Sequence, residues 1–237
     1  MRRFLAALLL AVPLGCAGIG GPRAIDASFS PPRTAREATA RLAFLEERLD
    51  TGRRHAELWS WSWLAINGAG LGSTVYTAVT TNHGDTRAFN AVQASQAALG
   101  VADVLWLRPM PGRTGADPLR AAAARGESAE ARVAQGERLL VASAERAAAR
   151  RDWRLHAANL ALQALGAGVL LALDEPGYAG LAMALGLIGG EANFWSEPSR
   201  ATGDLDGYRQ LVATGVGPRT SWQLAPHRNG VALVLRY

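Results

Sequence analysis

Four long apolar segments constrain the fold of this chain more than any other feature of its sequence. Each has about 18–27 residues, and they cover positions 58–84, 88–107, 155–173 and 178–195. A helix needs about 20 apolar residues to cross the hydrocarbon core of a bilayer. The sequence therefore predicts an all-α fold, in which an antiparallel bundle of four apolar helices spans a membrane. A soluble four-helix bundle is the alternative interpretation.

Charged helical stretches precede the first and third apolar segments. Thr34 to Glu57 has apolar residues at helical spacing, begins with Thr34 and Glu37 as a capping box, and runs straight into the first apolar segment. A second Ala-, Arg- and Glu-rich stretch, 117–154, is predicted to break near Gly126. Turn residues at 82–85 and 174–177 join the segments in pairs. We expect two helical hairpins with long amphipathic extensions.

The tryptophans favour a membrane location for these helices. Consecutive helices joined by short turns alternate in direction, which places six of the seven Trp residues at one end of the predicted bundle. Trp is enriched at membrane–water interfaces, so this end is predicted to lie at a membrane surface. The six residues are Trp59, Trp61, Trp63, Trp106, Trp153 and Trp195.

Small residues recur four positions apart within the apolar segments. Gly68 and Gly72 form one such pair, and Ala182, Gly186 and Gly190 form a longer series. In lipid, small residues at this spacing allow helices to approach closely. We therefore expect these positions to lie at helix–helix contacts.

The two predicted hairpins also resemble each other. Leu99-Gly100, Trp106 and Pro109 recur at the same spacing as Ile188-Gly189, Trp195 and Pro198. The similarity predicts an internal repeat of two hairpins in parallel, related by an axis along the membrane normal.

The N-terminus has the pattern of an export signal. Arg2 and Arg3 precede an apolar run that is too short to span a bilayer, and residues 1–16 are predicted to be a signal peptide. The sequence Leu14-Gly15-Cys16-Ala17 resembles the lipobox of bacterial lipoproteins, which implies acylation of Cys16. Cleavage after Ala17 without lipidation is the alternative. Residues 17–32, rich in Gly and Pro, are predicted to form a flexible tether.

The segments after the tether divide into a bundle and a tail. Residues 33–198 are predicted to form the helical bundle with its extensions, and residues 199–237 a C-terminal tail. Within the tail, Asn229-Gly230 lies between apolar residues at alternate positions, which predicts a short β-hairpin.

The charge distribution and the export signal predict opposite orientations. Most of the Arg residues lie at the Trp-rich end, which the positive-inside rule places in the cytoplasm. Export by the N-terminal signal instead places this end outside. We give the signal more weight, which locates the protein in the bacterial cell envelope, either as a multi-pass inner-membrane protein or lipid-anchored and facing the periplasm.

Polar residues at helical spacing are predicted to face the bundle interior, because an unpaired polar group in hydrocarbon is costly. Two carboxylates and an imidazole share a level near the Trp-rich end, where they could bind a divalent metal or relay a proton. Pairing with Arg or with solvent is the alternative, and no metal site is predicted. The candidate residues are Asp103, His156, Glu191, Asn159, Gln163 and Asn67.

Composition and motifs exclude several classes of function. The chain has no Lys, its 25 basic residues all being Arg, so it has neither a Schiff-base lysine nor a P-loop lysine. A single Cys excludes a disulfide framework. Because nucleophile, metalloprotease and dinucleotide motifs are also absent, we predict no catalytic residue, no cofactor and no nucleic-acid partner.

Three functions remain after these exclusions. The first is a non-enzymatic envelope membrane protein acting in binding, scaffolding or assembly, whose partners are membrane lipid and an envelope protein bound through the Arg- and Glu-rich helices. The second is a small transport or cofactor- or ion-binding membrane protein that uses its polar interior. The third is a soluble periplasmic lipoprotein. The oligomeric state is not predicted.

Overall fold

The structure is a computed structural model that describes residues 25, 28–107 and 109–215, together with the backbone of 221–227 and 230–236. The predicted signal peptide and Cys16 lie outside the described residues. Of the predicted tether, the described part is Ile25 and residues 28–32. Within these limits the residues up to 215 form an all-helical bundle.

The helices follow one another with short connections. Helix α1 covers Ala35–Thr80, α2 Gly84–Ala102, α3 Asp117–Ala124, α4 Ala129–Ala149, α5 Trp153–Ala172, α6 Pro176–Ser196 and α7 Arg200–Thr214. A π-helical turn, Asp103–Leu107, continues α2, and a 3-10 turn, Pro111–Thr114, precedes α3. Strands β1 (Ser221–His227) and β2 (Gly230–Arg236) pair antiparallel with Ser221 opposite Arg236.

Helix α1 is continuous through its charged and apolar parts, as the sequence predicts. Its 46 residues span about 69 Å at 1.5 Å per residue. The Thr34 side chain accepts a hydrogen bond from the Glu37 backbone N–H at 3.1 Å, and the Glu37 carboxylate accepts one from the Arg33 N–H at 2.9 Å. The first bond satisfies a backbone donor that the first helical turn leaves unpaired, and the second pairs the N–H of the residue before the N-cap.

The charged helix that precedes the second hairpin is not continuous with it. Helices α4 and α5 are separate, and the Asp152 side chain caps α5 by accepting a hydrogen bond from the Arg154 N–H at 2.9 Å. The predicted break near Gly126, by contrast, is confirmed, because Gly126 adopts a φ of 77° between α3 and α4. The first predicted repeat unit begins with one continuous helix and the second with two separate helices. The structure therefore does not support the predicted internal repeat.

The charged half of the molecule consists of residues 35–57, 110–150 and 197–214. Its core packs α1 against α3, α4 and α7 around fully buried leucines such as Leu45, Leu119 and Leu205. Tyr208 is also fully buried, and its hydroxyl donates to Glu137 Oε1 at 2.6 Å. Burial and the Glu137 carboxylate both raise the pKa of Tyr208, so it remains a neutral donor.

The apolar half consists of residues 58–107 and 153–196. Helix α1 packs against α2, and α5 against α6, while the two hairpins meet where α2 contacts α6 and α5. A small core of Ala88, Val92, Ala167, Leu170 and Ala182 lies toward the turns. The hairpins thus share a packed end, and their opposite ends meet the charged half.

Helix α7 lies where the sequence analysis predicts only a tail. Its apolar residues Leu205, Tyr208 and Leu211 follow helical spacing, and Gly215 ends it with a φ of 70°. The Gly and Asp residues between them dilute the periodicity. The turn of the predicted hairpin, at 228–229, lies outside the described residues, and the hairpin turn stays a prediction.

Of the described helices, α5 alone is both long and apolar enough to cross a membrane by composition, with a mean hydropathy of 1.5 over its most apolar window. The three other apolar segments fall short because they carry polar side chains, such as Gln93 and Gln96 in α2 and Glu191 in α6. The prediction of four membrane spans is therefore not confirmed by hydropathy.

Burial raises the pKa of the Glu137 carboxyl above its ordinary value of 4.5, although the Tyr208 hydroxyl and Arg41 act in the opposite direction. Since the folded pKa exceeds the unfolded one, the stability contributed by this group is lost as pH rises through the folded pKa. We expect Glu137→Gln to gain stability relative to wild type as pH rises above the ordinary carboxyl pKa of 4.5, measured by denaturant unfolding. If the stability advantage of Glu137→Gln over wild type instead falls as pH rises, the raised pKa of Glu137 is contradicted.

Candidate functional site

A chain of hydrogen bonds runs from the surface of the apolar half into its interior. His156 Nδ1 lies 2.6 Å from Glu191 Oε2, and Asn159 Nδ2 donates to Glu191 Oε1 at 3.0 Å. Gln163 Nε2 then donates to Asn159 Oδ1 at 3.1 Å. Asn159 and Gln163 are 7% and 4% exposed, so the carboxylate near the surface orients two buried carboxamides.

Glycines on the facing helices make room for these carboxamides. A Cβ atom placed on Gly190 would lie 2.5 Å from both Nδ2 and Oδ1 of Asn159, and one on Gly186 would overlap the Gln163 amide. The Asn67 amide lies against Gly100 in the same way, so that a Cβ atom there would overlap it. Gly186 and Gly190 thus accept polar side chains where close helix approach was predicted. Gly68 and Gly72, also predicted to be packing positions, have no neighbour within 4 Å of such a Cβ.

The carboxamides line a cavity of about 370 Å³ between α1, α2, α5 and α6. Its volume lies within the range of about 300–1,000 Å³ that is typical of ligand pockets. Polar side chains from all four helices reach it, namely Asn67, Thr74, Gln93, Gln96, Asp103, Asn159, Gln163 and Asn193. A half-open cavity with a mostly apolar wall and several carboxamides therefore lies between the four apolar helices.

Buried ion pairs join the apolar half to the charged half. Glu197, 5% exposed, accepts hydrogen bonds from Arg146 Nε at 2.7 Å and Nη2 at 3.3 Å. Arg150 Nε lies 2.7 Å from Glu197 Oε2, and Arg150 Nη2 donates to Asp103 Oδ2 at 2.8 Å. We call Asp103, Arg146, Arg150 and Glu197 the junction cluster. Burial lowers the pKa of Arg146, and the Glu197 carboxylate opposes this effect.

Two tryptophans of α1 lie near the junction cluster, and one of them, Trp63, also lines the cavity. The indole N–H groups of Trp59 and Trp63 both donate to Ser196 Oγ, at 3.1 and 3.0 Å. Trp59 is 5% exposed, and the Arg146 and Arg150 guanidinium groups lie 5.9 and 6.0 Å from its ring centroid. Cation–π attraction therefore adds to the ion pairs that hold α1, α4 and α6 together.

The outer surface of the apolar half forms an apolar collar. Among the described residues, every large hydrophobic side chain found to be strongly exposed lies in this half. The members of the collar are Leu58, Trp61, Ile66, Val75, Tyr76, Val79, Trp106, Leu107, Trp153, Leu160, Leu165, Leu171, Leu173, Leu181, Leu185, Ile188 and Trp195. Solvent-exposed surfaces of monomeric proteins rarely carry contiguous apolar patches of this extent.

The structure separates the candidate residues, and Asn67 donates only to the Trp63 carbonyl of its own helix among the described bonds, at 2.8 Å. His156, Glu191, Asn159 and Gln163 form the hydrogen-bond chain, whereas Asp103 is paired with Arg150 in the junction cluster. Asp103 therefore pairs with an Arg, which is the alternative left open by the sequence, although the partner differs from those nearest in sequence. In the part of the chain that the structure describes, no three His, Cys, Asp or Glu residues come together as metal ligands.

Sequence reasoning missed Glu197 and Arg150, although both belong to the junction cluster. Each lies in a charged connection between helices, where a solvated side chain is the usual expectation. Gln93 and Gln96 lie three residues apart on α2, and the structure places both in the cavity wall. The Pro198 that follows Glu197 was the one local signal that the chain turns at this point.

Gly190→Ala is expected to destabilise the protein, because its methyl group would displace the Asn159 amide and break the hydrogen-bond chain to Glu191. Gly180→Ala, on the same helix, is the matched control, since a Cβ there meets nothing within 4 Å. We expect a gain of up to about 1 kcal/mol for the control and a loss of about 1–3 kcal/mol for Gly190→Ala in denaturant unfolding. Equal effects of the two substitutions on stability would contradict the placement of the Asn159 amide against Gly190.

Glu197→Gln is expected to cost roughly 3–5 kcal/mol of stability, because it removes the charge that two buried guanidinium groups share. Asp206→Asn is the control, since its Asp206–Arg209 pair is exposed and such pairs contribute at most about 1 kcal/mol. The measurement is the unfolding free energy in mild detergent. A loss below about 1 kcal/mol for Glu197→Gln would show that the junction cluster is dispensable.

Comparisons of the chain with protein-family models, curated proteins and solved structures found no significant match.

Proposed function

We propose that the chain is a non-enzymatic membrane protein of the bacterial cell envelope, in which the apolar half is inserted in the bilayer as an antiparallel four-helix bundle. The observation that carries this proposal is the apolar collar, because its large side chains lie on α1, α5 and α6 and on the π-helical turn that follows α2. In water this surface would be a severe aggregation liability. In lipid it is the surface expected of a membrane-spanning bundle.

The positions of the charged residues support this assignment. In the apolar half, Asp85, Arg87, Asp174 and Glu175 lie at the turns, and Asp103, Arg154 and Glu191 lie toward the junction cluster. The intervening stretches carry no charge. A 20-residue helix such as α5 is about 30 Å long, which matches the thickness of the hydrocarbon core.

Aromatic and basic side chains mark the membrane surface on the side of the junction. The guanidinium carbon of Arg151 lies 4.6 Å from the ring centroid of Trp195, and that of Arg113 lies 5.3 Å from the ring centroid of Trp61. Trp106 and Trp153 are each 71% exposed at the same end. Trp and Arg together are the composition expected at the headgroup level.

The charged half then stands on the membrane surface, held in a fixed orientation by continuous α1 and by the junction cluster. Such an arrangement suits a scaffold that presents Arg- and Glu-rich helices to an envelope protein. The export signal predicts that this half faces the periplasm, and acylation of Cys16 would anchor the same side.

Thiol accessibility tests the insertion. In a Cys16→Ser background, Ile188→Cys places a thiol on the collar, where the native side chain is 68% exposed. Gln210→Cys places one on the exposed surface of α7. In native membranes we expect a water-soluble maleimide to react at least tenfold more slowly at position 188 than at 210, because maleimide coupling needs a hydrated thiolate.

The denatured protein provides the reference rate at each position. Equal rates in the membrane preparation, or release of the Cys16→Ser protein into the soluble fraction, would overturn insertion and favour the soluble lipoprotein.

A further inference from the structure

We infer that Arg151 and Arg154 form a binding site for the headgroup of an anionic phospholipid, whose acyl chains lie along the outer face of α5. The inference rests on the proposed insertion of the apolar half in a bilayer and names one lipid partner of that half. Three features of the structure support it, namely the unpaired cations, the exposed rings beside them and the apolar surface that continues along the helix.

Both guanidinium groups are exposed and have no ion-pair partner among the described residues. They lie where the chain passes from α4 to α5. Of the neighbouring carboxylates, Asp152 caps α5 by accepting a hydrogen bond from the Arg154 backbone N–H, and Glu197 is taken up by the arginines of the junction cluster. With Asp152 included, the segment 151–154 keeps a net positive charge that an anionic partner can neutralise.

The two ends of the apolar half differ in charge. At the turns, Arg87 is accompanied by Asp85, Asp174 and Glu175, and its guanidinium donates to the Thr81 carbonyl at 2.6 Å. The turn end is therefore net negative, whereas exposed cations without ion-pair partners lie at the junction end. Anionic headgroups attract cations near a membrane surface, so the junction end is the one that would select anionic lipids.

Two exposed tryptophans place these cations at the level of lipid headgroups. The Arg151 guanidinium carbon lies 4.6 Å from the ring centroid of Trp195, and Trp153, which lies between the two arginines in sequence, is 71% exposed. Trp rings concentrate at the membrane–water interface, where lipid phosphate groups also lie. Arg binds phosphate through strong charge-assisted hydrogen bonds. The two guanidinium groups are thus at the right depth to bind a lipid phosphate.

An apolar surface continues from Trp153 along α5. Leu160 and Leu171 follow it by 7 and 18 residues, which is about two and five helical turns, so the three side chains lie on one face of the helix. Leu160 and Leu171 are 48% and 57% exposed. A free phosphate ion would leave this face uncovered, whereas a phospholipid covers it and places its phosphate beside the cations. The ligand that fits both surfaces is an amphiphile with an anionic head.

Native mass spectrometry of the full chain in detergent tests the site, with short-chain phosphatidylglycerol as the probe and short-chain phosphatidylcholine as the comparison. We expect wild type to bind phosphatidylglycerol at least fivefold more tightly, because the choline ammonium of the other lipid is repelled by the two guanidinium groups. Arg151→Gln and Arg154→Gln should each weaken phosphatidylglycerol binding about fivefold and leave phosphatidylcholine binding nearly unchanged.

Arg36→Gln is the matched control. Arg36 is also exposed and has no ion-pair partner in the part of the chain that the structure describes. It lies in the first turn of α1, 22 residues before Leu58, where the apolar half begins, which is about 33 Å along the helix. All three variants lose the same charge, so a specific site predicts that Arg36→Gln binds both lipids as wild type does.

Equal affinity of wild type for the two lipids, or equal losses in Arg151→Gln and Arg36→Gln, would overturn the site. Glycerol 1-phosphate, which has the anionic head without acyl chains, should bind at least tenfold more weakly than phosphatidylglycerol. Equally tight binding would identify a site for free anions and overturn the lipid assignment.

Thiol accessibility at the collar separates this inference from the proposed function. Slow maleimide coupling at position 188 together with no preference for phosphatidylglycerol would refute the lipid site alone. Equal coupling rates at positions 188 and 210 would refute membrane insertion, and the lipid site with it.

Discussion

The buried pairing of Glu197 with Arg146 and Arg150 is the interaction on which the architecture depends. It lies where α6 ends and where α4 of the other half ends, and Asp103 extends it to the end of α2. Two guanidinium groups in a buried site need compensating carboxylates, because an unpaired buried charge is strongly destabilising. The pairing therefore fixes the charged half against both hairpins, and it places the Trp-rich end of the apolar half at one level.

Inside the apolar half, polar side chains and glycines define the packing jointly. Asn67 fits against Gly100, and Asn159 fits against Gly190, so each hairpin contains a carboxamide seated on a glycine of its return helix. The space that the glycines leave is occupied by carboxamides, so a bundle with an apolar exterior has polar groups in its interior. The same substitution at two glycines of one helix should thus have opposite consequences.

The local features of the fold could be predicted from the sequence, and the long-range pairings could not. The Thr34 cap, continuous α1 and the break near Gly126 follow from short-range patterns that the structure confirms. Helix α7 escaped detection because Gly and Asp residues dilute its apolar spacing. The pairing of Arg150 with Asp103 joins residues 47 positions apart, and no local pattern specifies which of many Arg residues a given carboxylate will meet. The inward direction of the polar residues could be predicted from helical spacing. Which glycine of the neighbouring helix lies against each amide depends on the register between the two helices, which the local sequence does not specify.

Helix α1 offers the most direct test of the central claim, that one half of this molecule lies in lipid and the other in water, because it runs through both without a break. Nitroxide labels at its exposed positions 43, 54, 66 and 69 would be compared, in the Cys16→Ser background, for collision with molecular oxygen and with a water-soluble nickel chelate. Insertion of the apolar half predicts nickel access at Ala43 and Arg54 and oxygen access at Ile66 and Ala69. Equal nickel access at Arg54 and Ile66 would contradict it.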